Sequence, residues 1–198
     1  MIRHKKIAVI GGGSWATAII KMISKQKENI AWWMRNEKTI QHIKNKGHNP
    51  NYLTEVEINT DIVEISSDLD SVCFKADVLI LVVPSAFLHD TLSQIKIDIS
   101  KKTIFSAVKG IVPQKNEIVG EYMQNEFHVP IKQIGVITGP CHAEEVALGR
   151  LSYLTVACEN LALAKWMANK LACNYIKTIT SEDIYGTEYS AVIKNIVA

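Results

Sequence analysis

A phosphate-binding turn is predicted close to the N-terminus. Gly11, Gly13 and Ala16 occupy the three small positions of the pattern G-x-G-x-x-G/A. The first permits a tight turn, the second lets the backbone approach a pyrophosphate, and the third lets a helix pack closely on the preceding strand. Free N–H groups at the start of that helix attract phosphate oxygens. Because an apolar run, 7–10, precedes the turn and an amphipathic segment, 18–23, follows it, the pattern indicates dinucleotide binding rather than an ordinary glycine-rich turn.

Two basic side chains follow strand-like runs farther along the chain. Arg35 ends the apolar run 30–34, where an NAD site usually offers a carboxylate to the ribose and where an arginine suits the 2′-phosphate of NADP. Lys109 emerges from the run 103–108 and precedes Gly110, and its ammonium is costly there unless it faces a cleft or an anion. The alternatives are a surface arginine and a lysine whose stem only lies along apolar surface.

The segment 139–145 joins a predicted strand to a short helix and carries several reactive side chains. Pro140 and its small neighbours expose N–H groups at the start of the helix, which fits an anion or a cofactor amide. His142 is a candidate general base, with capping as its alternative. Cys141 is a candidate nucleophile, but no base pairs with it in sequence, so a small filler is the preferred interpretation.

Lys194 follows the apolar Ile193 within the last predicted helix. A lysine in a partly desolvated cleft has a lowered pKa and serves as an acid or a base. The spacing alone leaves a solvated helix lysine as the more common alternative.

The elements that must position these residues alternate between strand and helix, which predicts an α/β fold with a doubly wound, mostly parallel sheet of the Rossmann type. Right-handed crossovers then place the ligand loops at the carboxyl ends of the strands. Strands are predicted at 7–10, 30–34, 77–83, 103–108, 134–138, 153–157 and 175–178. Helices are predicted at 18–23, 37–46, 86–95, 117–126, 142–148, 161–171 and 182–198.

Two parts of unequal size are expected. Residues 1–180 form a dinucleotide-binding domain, and residues 181–198 form the first helix of an all-helical substrate domain. That helix has an apolar stripe but neither a C-cap glycine nor a closing turn after it, so we expect the chain to be truncated. The stripe consists of Tyr185, Tyr189, Val192, Ile193 and Ile196.

The composition is that of a globular protein, with 47% hydrophobic and 21% charged residues among 198. A net charge of +2 does not favour nucleic acid or an anionic membrane as a partner. No apolar run reaches the ~18–20 residues that a membrane span needs. The four cysteines lack metal-ligand spacing, so we expect no metal site and reduced thiols in a cytoplasmic protein.

Taken together, the motifs resemble the N-terminal part of bacterial NAD(P)-dependent glycerol-3-phosphate dehydrogenases. The resemblance runs the whole length of the chain and rests on residues 11–18, 51–53, 82–85, 109–111, 139–146 and 194–195. It implies hydride transfer between NADPH or NADH and dihydroxyacetone phosphate, giving sn-glycerol 3-phosphate for phospholipid synthesis. In that family a further all-helical domain follows, so we expect this chain to bind the cofactor with little turnover.

The resemblance also implies the roles of individual residues. Lys194 is the implied general acid/base, and Lys109 helps to hold and polarise the substrate. Substrate contacts are implied at Lys109, Gly139, Cys141 and Lys194. Cofactor contacts are expected at Gly11, Gly13, Ser14, Trp15, Arg35, Tyr52, Lys109 and Ala143. The chain departs from the family by having Ala16 in place of a glycine and Cys141 in place of a serine, which weakens a substrate hydrogen bond.

Two other functions compete with this one. A β-hydroxyacid or ketopantoate-type reductase shares the fold and the glycine motif, but it is not expected to combine 139–146 with 194–195. A nicotinamide-binding module without catalysis is the second alternative, and the presence of Lys109 and Lys194 argues against it. A homodimer is compatible with the sequence.

Overall fold

A single eight-stranded sheet forms the centre of the computed structural model, which describes residues 5–197 and the side chains as far as Ile193. The strands are β1 Ile7–Ile10, β2 Ile30–Trp33, β3 Val63–Ser66, β4 Val78–Leu81, β5 Thr103–Ser106, β6 Ile134–Thr138, β7 Ser152–Cys158 and β8 Ile176–Ser181. The helices are α1 Ser14–Ser24, α2 Glu37–Lys46, α3 Leu69–Lys75, α4 Ser85–Leu92, α5 Val119–Phe127, α6 Ala143–Ala147, α7 Leu161–Leu171 and α8 Ile184–Val197.

The strand order is β3-β2-β1-β4-β5-β6-β7-β8. The first six strands are parallel and have the order of a doubly wound nucleotide-binding fold, with its switch point between β1 and β4. Strand β7 runs antiparallel to β6, and β8 runs parallel to β7. The prediction of a doubly wound, mostly parallel sheet is therefore confirmed.

Both faces of the sheet are covered, which explains why its central strands are apolar throughout. All four residues of β1 and of β4 are buried. Helices α1, α2, α6 and α7 pack on one face, and α3, α4 and α5 pack on the other. Strands covered on both sides read as continuous apolar runs rather than as alternating ones.

Capping residues explain why two helices begin and end where the sequence predicts. The side chain of Asn36 accepts a hydrogen bond from the N–H of Thr39 (3.1 Å) at the start of α2. Gly47, in the left-handed conformation with φ of 72°, ends that helix. Asn160 caps α7 in the same way as Asn36 caps α2.

Strand β3 and helix α3 were not predicted. The strand has only four residues, and its exposed Glu64 separates the buried Val63 and Ile65. Such a short edge strand gives too few apolar positions for a periodicity to stand out.

The antiparallel direction of β7 also has a local cause. Its connection to β6 contains one helix of only five residues, α6. A parallel return needs a full crossover, usually made by a longer helix, so the chain turns back beside β6 instead.

Helix α8 packs against β6 and β7. It attaches through Ile184 and Glu188, which are both buried. Tyr185, Tyr189 and Ile193, three members of the predicted apolar stripe, are exposed on the helix, whereas Ile196 lies beyond the described side chains. Among the residues that the structure describes, no helix is long and apolar enough to cross a membrane.

Candidate functional site

The predicted site residues collect at one edge of the sheet, where the parallel strands end. The loops after β1, β2, β4, β5 and β6 all open there, around the switch point between β1 and β4. Ligands of open α/β sheets bind outside the carboxyl ends of the strands at such a point.

In the glycine turn after β1, the space around Gly11 and Gly13 agrees with the roles that the motif gives to these two positions. Gly11 has a φ of 138°, and a Cβ atom there would lie 2.6 Å from the backbone oxygen of Val82. Only glycine allows this approach to β4. A Cβ on Gly13 would enter open space, with no atom within 4 Å. The open side of Gly13 is the place where a diphosphate can approach the backbone.

Two adjoining grooves, of about 340 and 470 Å³, meet at Gly13 and follow this edge in opposite directions. The first contains the glycine turn, Arg35 and Tyr52. The second contains Ser14, Trp15, Lys109, Cys141 and Ala143. The structure thus brings together, along one continuous edge, nine of the eleven residues to which the sequence assigned a role.

Lys109 and Trp15 face each other across the second groove. The Lys109 ammonium lies 5.9 Å from the centre of the Trp15 ring, within the range of a cation–π contact. Gly110, with a φ of 134°, lets the loop after β5 approach Ser85, because a Cβ there would lie 2.8 Å from the Ser85 hydroxyl oxygen. The loop therefore aims the lysine towards the start of α1 and not along the outer surface.

Arg35 and Tyr52 form the far end of the first groove. Both side chains are exposed, with Tyr52 at 46% of its maximal surface. An exposed cation and an exposed aromatic ring in one groove are suited to a nucleotide that carries an additional phosphate.

The loop after β6 contributes to the second groove through only some of its predicted residues. Cys141 and Ala143 are buried and line the groove, and His142, at the start of α6, also lines it. Gly139 lies beside β7 and outside the groove lining, because a Cβ there would lie 2.3 Å from the backbone oxygen of Tyr153. The substrate contact at Gly139 stays a prediction.

Lys21 holds helix α6 in place beneath this loop. Its ammonium donates to the backbone oxygens of Val146 and Ala147 near the end of α6. Burial lowers the pKa of Lys21, with the nearby charge of Lys25 acting in the same direction. The amine therefore serves as a structural link between α1 and α6.

Lys194 belongs to helix α8, but its side chain lies outside the part of the chain whose side chains are described. Its role as an acid or base stays a prediction. Within residues 5–193, no group of three or more His, Cys, Asp or Glu side chains could hold a metal ion.

Sequence reasoning assigned no individual role to several residues of the site, although Val83 and Pro84 lie within the motif 82–85. Val83, Pro84 and Phe87 form the wall of the first groove opposite Arg35. Asn49 and Trp32 are fully buried behind the glycine turn. The Asn-Pro-Asn run at 49–51, a polar turn signal after the helix 37–46, was the available sign of a special role for Asn49.

Two larger open grooves, each of about 930 Å³, lie elsewhere on the molecule. One borders the amino ends of β1, β2 and β3, and the other is lined by lysines at and after the end of α1 and by residues 55–59. Neither contains the glycine turn or Lys109, so their size alone gives no reason to place the chemistry there.

The strand order, the glycine turn and the edge groove define a Rossmann-type domain. The chain belongs to the NAD-dependent glycerol-3-phosphate dehydrogenase family, whose N-terminal model matches residues 6–164.

Relatives and solved structures agree with this assignment. The chain is 32% identical to glycerol-3-phosphate dehydrogenase (NAD(P)+) of Oceanobacillus iheyensis, over 98% of this chain and 56% of that protein. It is 29% identical to the enzyme of the same name from Limosilactobacillus reuteri, over 98% of this chain and 59% of that protein. The structure superimposes on glycerol-3-phosphate dehydrogenase of Plasmodium falciparum with a TM-score of 0.87 at 26% identity, covering 98% of this chain and 57% of that one. The chain thus spans less than two thirds of the length of these relatives.

Proposed function

We propose that this chain is the cofactor-binding part of an enzyme that transfers a hydride between NADPH or NADH and dihydroxyacetone phosphate. One observation carries the proposal: Ser14, Trp15, Lys109, Cys141 and Ala143 line one groove beside the glycine turn. These are residues of the motifs on which the resemblance to the family rests. The product of reduction is sn-glycerol 3-phosphate, a precursor of phospholipids.

The two adjoining grooves together offer the groups that a dinucleotide needs. The N–H groups at the start of α1 and the open side of Gly13 suit the diphosphate. Arg35 suits a 2′-phosphate, because a guanidinium forms paired, charge-assisted hydrogen bonds with phosphate oxygens. The cofactor supplies the hydride, and the protein supplies position and electrostatics.

The lysines supply the charges that a carbonyl reduction requires. We assign to Lys109 the holding and polarisation of the substrate, since its ammonium lies in the groove beside Trp15. We assign to Lys194 the proton for the developing alkoxide. Cys141 stands where relatives are expected to have serine, and its thiol is a weaker hydrogen-bond donor than a hydroxyl.

We also propose a division of the sequence between two domains. Residues 1–180 form the dinucleotide-binding domain, and residues 181–198 begin the substrate domain. Two observations support this division. The exposed Tyr185, Tyr189 and Ile193 give α8 an apolar outer face, and the relatives are longer than this chain.

A cytoplasmic location is part of the same proposal. Cys141 lines the groove as a thiol, and a reducing compartment preserves it in that form.

A chimaeric enzyme tests the reaction. Residues 1–198 are joined to the remaining C-terminal part of the Oceanobacillus iheyensis relative, and NADPH oxidation is followed with dihydroxyacetone phosphate, ketopantoate and a β-keto acid. We expect oxidation with dihydroxyacetone phosphate at a kcat/KM at least about a hundredfold above that of the other two. A preference for either competitor would assign the domain to a sister reductase. Tight NADPH binding with no turnover of any substrate would favour a binding module.

A further inference from the structure

The glycine turn is held from behind by three buried side chains. The indole N–H of Trp32 donates to the backbone oxygen of Gly11 (2.6 Å), the amide of Asn49 donates to that of Gly12 (3.3 Å), and the hydroxyl of Thr17 donates to that of Gly13 (3.1 Å). Three consecutive carbonyl groups thus each accept a side-chain hydrogen bond. The three donors come from β2, from the loop after α2 and from α1, and each residue is fully buried.

Fixing these carbonyls also fixes the N–H groups that follow them. A peptide unit is planar and trans, so its C=O and its N–H point in opposite directions. The orientation of each carbonyl oxygen, on Gly11, Gly12 and Gly13, therefore fixes the direction of the N–H group of the next residue. Among the residues that the structure describes, no acceptor binds the N–H groups of Gly12, Gly13 or Ser14.

Three successive glycines need such a restraint. A glycine has access to far more backbone conformations than other residues, so a free three-glycine turn loses considerable entropy when it must order around a ligand. Restraining the turn before the ligand arrives removes that cost from the binding free energy.

We propose that Thr17, Asn49 and Trp32 are positioning residues that hold the glycine turn with its N–H groups directed at the diphosphate of the cofactor. The inference rests on the proposed dinucleotide binding and adds to it the groups that preorganise the site. These residues touch the turn from the protein side, and none of the three lines either groove.

Asn49 is the centre of this donor set. Its amide nitrogen also donates to the hydroxyl oxygen of Thr17 (3.0 Å), and its carbonyl oxygen accepts from the N–H of Asn51 (3.0 Å). The side chain of Asn51 in turn donates to the hydroxyl of Thr39 in α2 (3.2 Å). The network therefore links the glycine turn to the loop that carries Tyr52, so that these two parts of the first groove are positioned together.

Substitutions at Thr17 separate the hydroxyl from the shape of the side chain. Thr17→Val keeps the shape and removes both the donor to Gly13 and the acceptor for Asn49, whereas Thr17→Ser keeps the hydroxyl and removes a buried methyl group. We expect Thr17→Val to raise the Kd for NADPH and for ADP-ribose about tenfold, the size of effect that one lost hydrogen bond produces. Thr17→Ser should bind both ligands as the unsubstituted chain does, although it loses thermal stability with its buried methyl group.

The choice of ligands distinguishes a specific loss of diphosphate binding from a general disruption of the folded structure by the substitution. Titration calorimetry of the 198-residue chain is carried out with NADPH, ADP-ribose and 2′-AMP. The last of these carries the phosphate assigned to Arg35 but no diphosphate. We expect its affinity to be the same in both Thr17 variants. An equal loss for all three ligands, or a loss in Thr17→Ser as large as in Thr17→Val, would overturn the proposal.

A second substitution keeps the test decisive if Thr17→Val does not fold. Asn49→Asp retains the acceptor for Asn51 but replaces the donor to Gly12 and Thr17 with a carboxylate oxygen. We expect at least a tenfold loss of NADPH and ADP-ribose affinity, and none for 2′-AMP. Asn160→Asp at the cap of α7 adds the same charge away from the grooves and should change nothing.

The outcomes for this inference and for the proposed function are distinct. If the unsubstituted chain binds neither NADPH nor ADP-ribose, the proposed function is wrong. If the unsubstituted chain binds both ligands, and the Thr17→Val and Asn49→Asp variants bind them with the same affinity as the unsubstituted chain, then only the positioning role is wrong.

Discussion

At the scale of single residues, Arg35 is the group to which we assign the choice between the two dinucleotides. It is the cation of the first groove, at the end of β2 and exposed to the ligand space. We predict that Arg35→Asp raises the Kd for NADPH more than about tenfold and leaves the Kd for NADH within about threefold, because charge-assisted hydrogen bonds to the 2′-phosphate are lost and repulsion replaces them. Titration calorimetry with both dinucleotides measures this.

Arg150→Asp is the matched control for that prediction. Arg150 is also exposed and lies outside both grooves, so the substitution changes the net charge equally without reaching the ligand. An equal loss of NADPH and NADH affinity in Arg35→Asp would show that Arg35 does not bind the 2′-phosphate.

Lys194 is the residue assigned to proton transfer. In the chimaeric enzyme, we predict that Lys194→Ala lowers kcat by roughly 10²–10⁴-fold while the Kd for NADPH changes by less than about twofold, because a general acid acts in the transition state and not in cofactor binding. Steady-state rates and calorimetry measure the two quantities. A loss of less than about tenfold in kcat would move the proton-transfer role to another group, with Lys109 as the first candidate.

At the scale of secondary-structure elements, Glu188 joins α8 to the start of α5. Its carboxyl oxygens accept hydrogen bonds from the N–H groups of Val119 (3.0 Å) and Gly120 (3.1 Å). Burial nevertheless raises the pKa of Glu188 to about 7, and the nearby charge of Glu121 acts in the same direction. The cost of burying the charge therefore exceeds the gain from the two hydrogen bonds.

This raised pKa predicts a pH-dependent stability. The folded state binds the Glu188 proton more tightly than the unfolded chain does, so the stabilisation is fully present below the ordinary pKa of a glutamate and is lost as the pH rises through about 7. Between pH ~5 and pH ~8 the loss amounts to about 2 kcal/mol of unfolding free energy.

Urea unfolding at the two pH values, with Glu188→Gln for comparison, isolates this contribution from other titrating groups. The unsubstituted chain should lose about 2 kcal/mol more than Glu188→Gln on going to the higher pH. The same pH dependence in both proteins would show that Glu188 is not the group responsible.

Elements with strong local signals could be predicted from the sequence, and elements fixed by distant contacts could not. Helix α2 has an asparagine cap before it and Gly47 after it, so both ends are encoded locally. Strand β3 depends on pairing with β2, which its four residues do not reveal. The same division applies to the site. The glycine motif is local, whereas the bond from Asn49 to Gly12 joins residues 37 positions apart.

At the scale of the whole molecule, the groups that we assign to dinucleotide binding all lie at the edge of one sheet. The glycine turn, Arg35 and Lys109 follow β1, β2 and β5, which belong to the parallel part of the sheet. Helix α8 is joined to this body through Ile184 and Glu188 and presents its exposed tyrosines outward. We therefore expect cofactor binding to depend on elements that the chain contains.

The reaction should depend on more than these elements. The relatives are longer, and this chain covers between 56% and 59% of the two compared above. We predict that residues 1–198 alone bind NADPH but oxidise it with dihydroxyacetone phosphate at less than about a thousandth of the rate of the chimaeric enzyme. Holding a substrate in a reactive geometry contributes roughly 7–11 kcal/mol to catalysis, and we place part of the substrate-holding groups in the remaining sequence of the relatives. Calorimetry gives the NADPH affinity, and absorbance of NADPH at equal protein concentrations gives both rates. The Lys194→Ala chimaera sets the background rate. Comparable rates for the 198-residue chain and the chimaera would show that the whole active site lies within residues 1–198, and that α8 needs no partner to place Lys194.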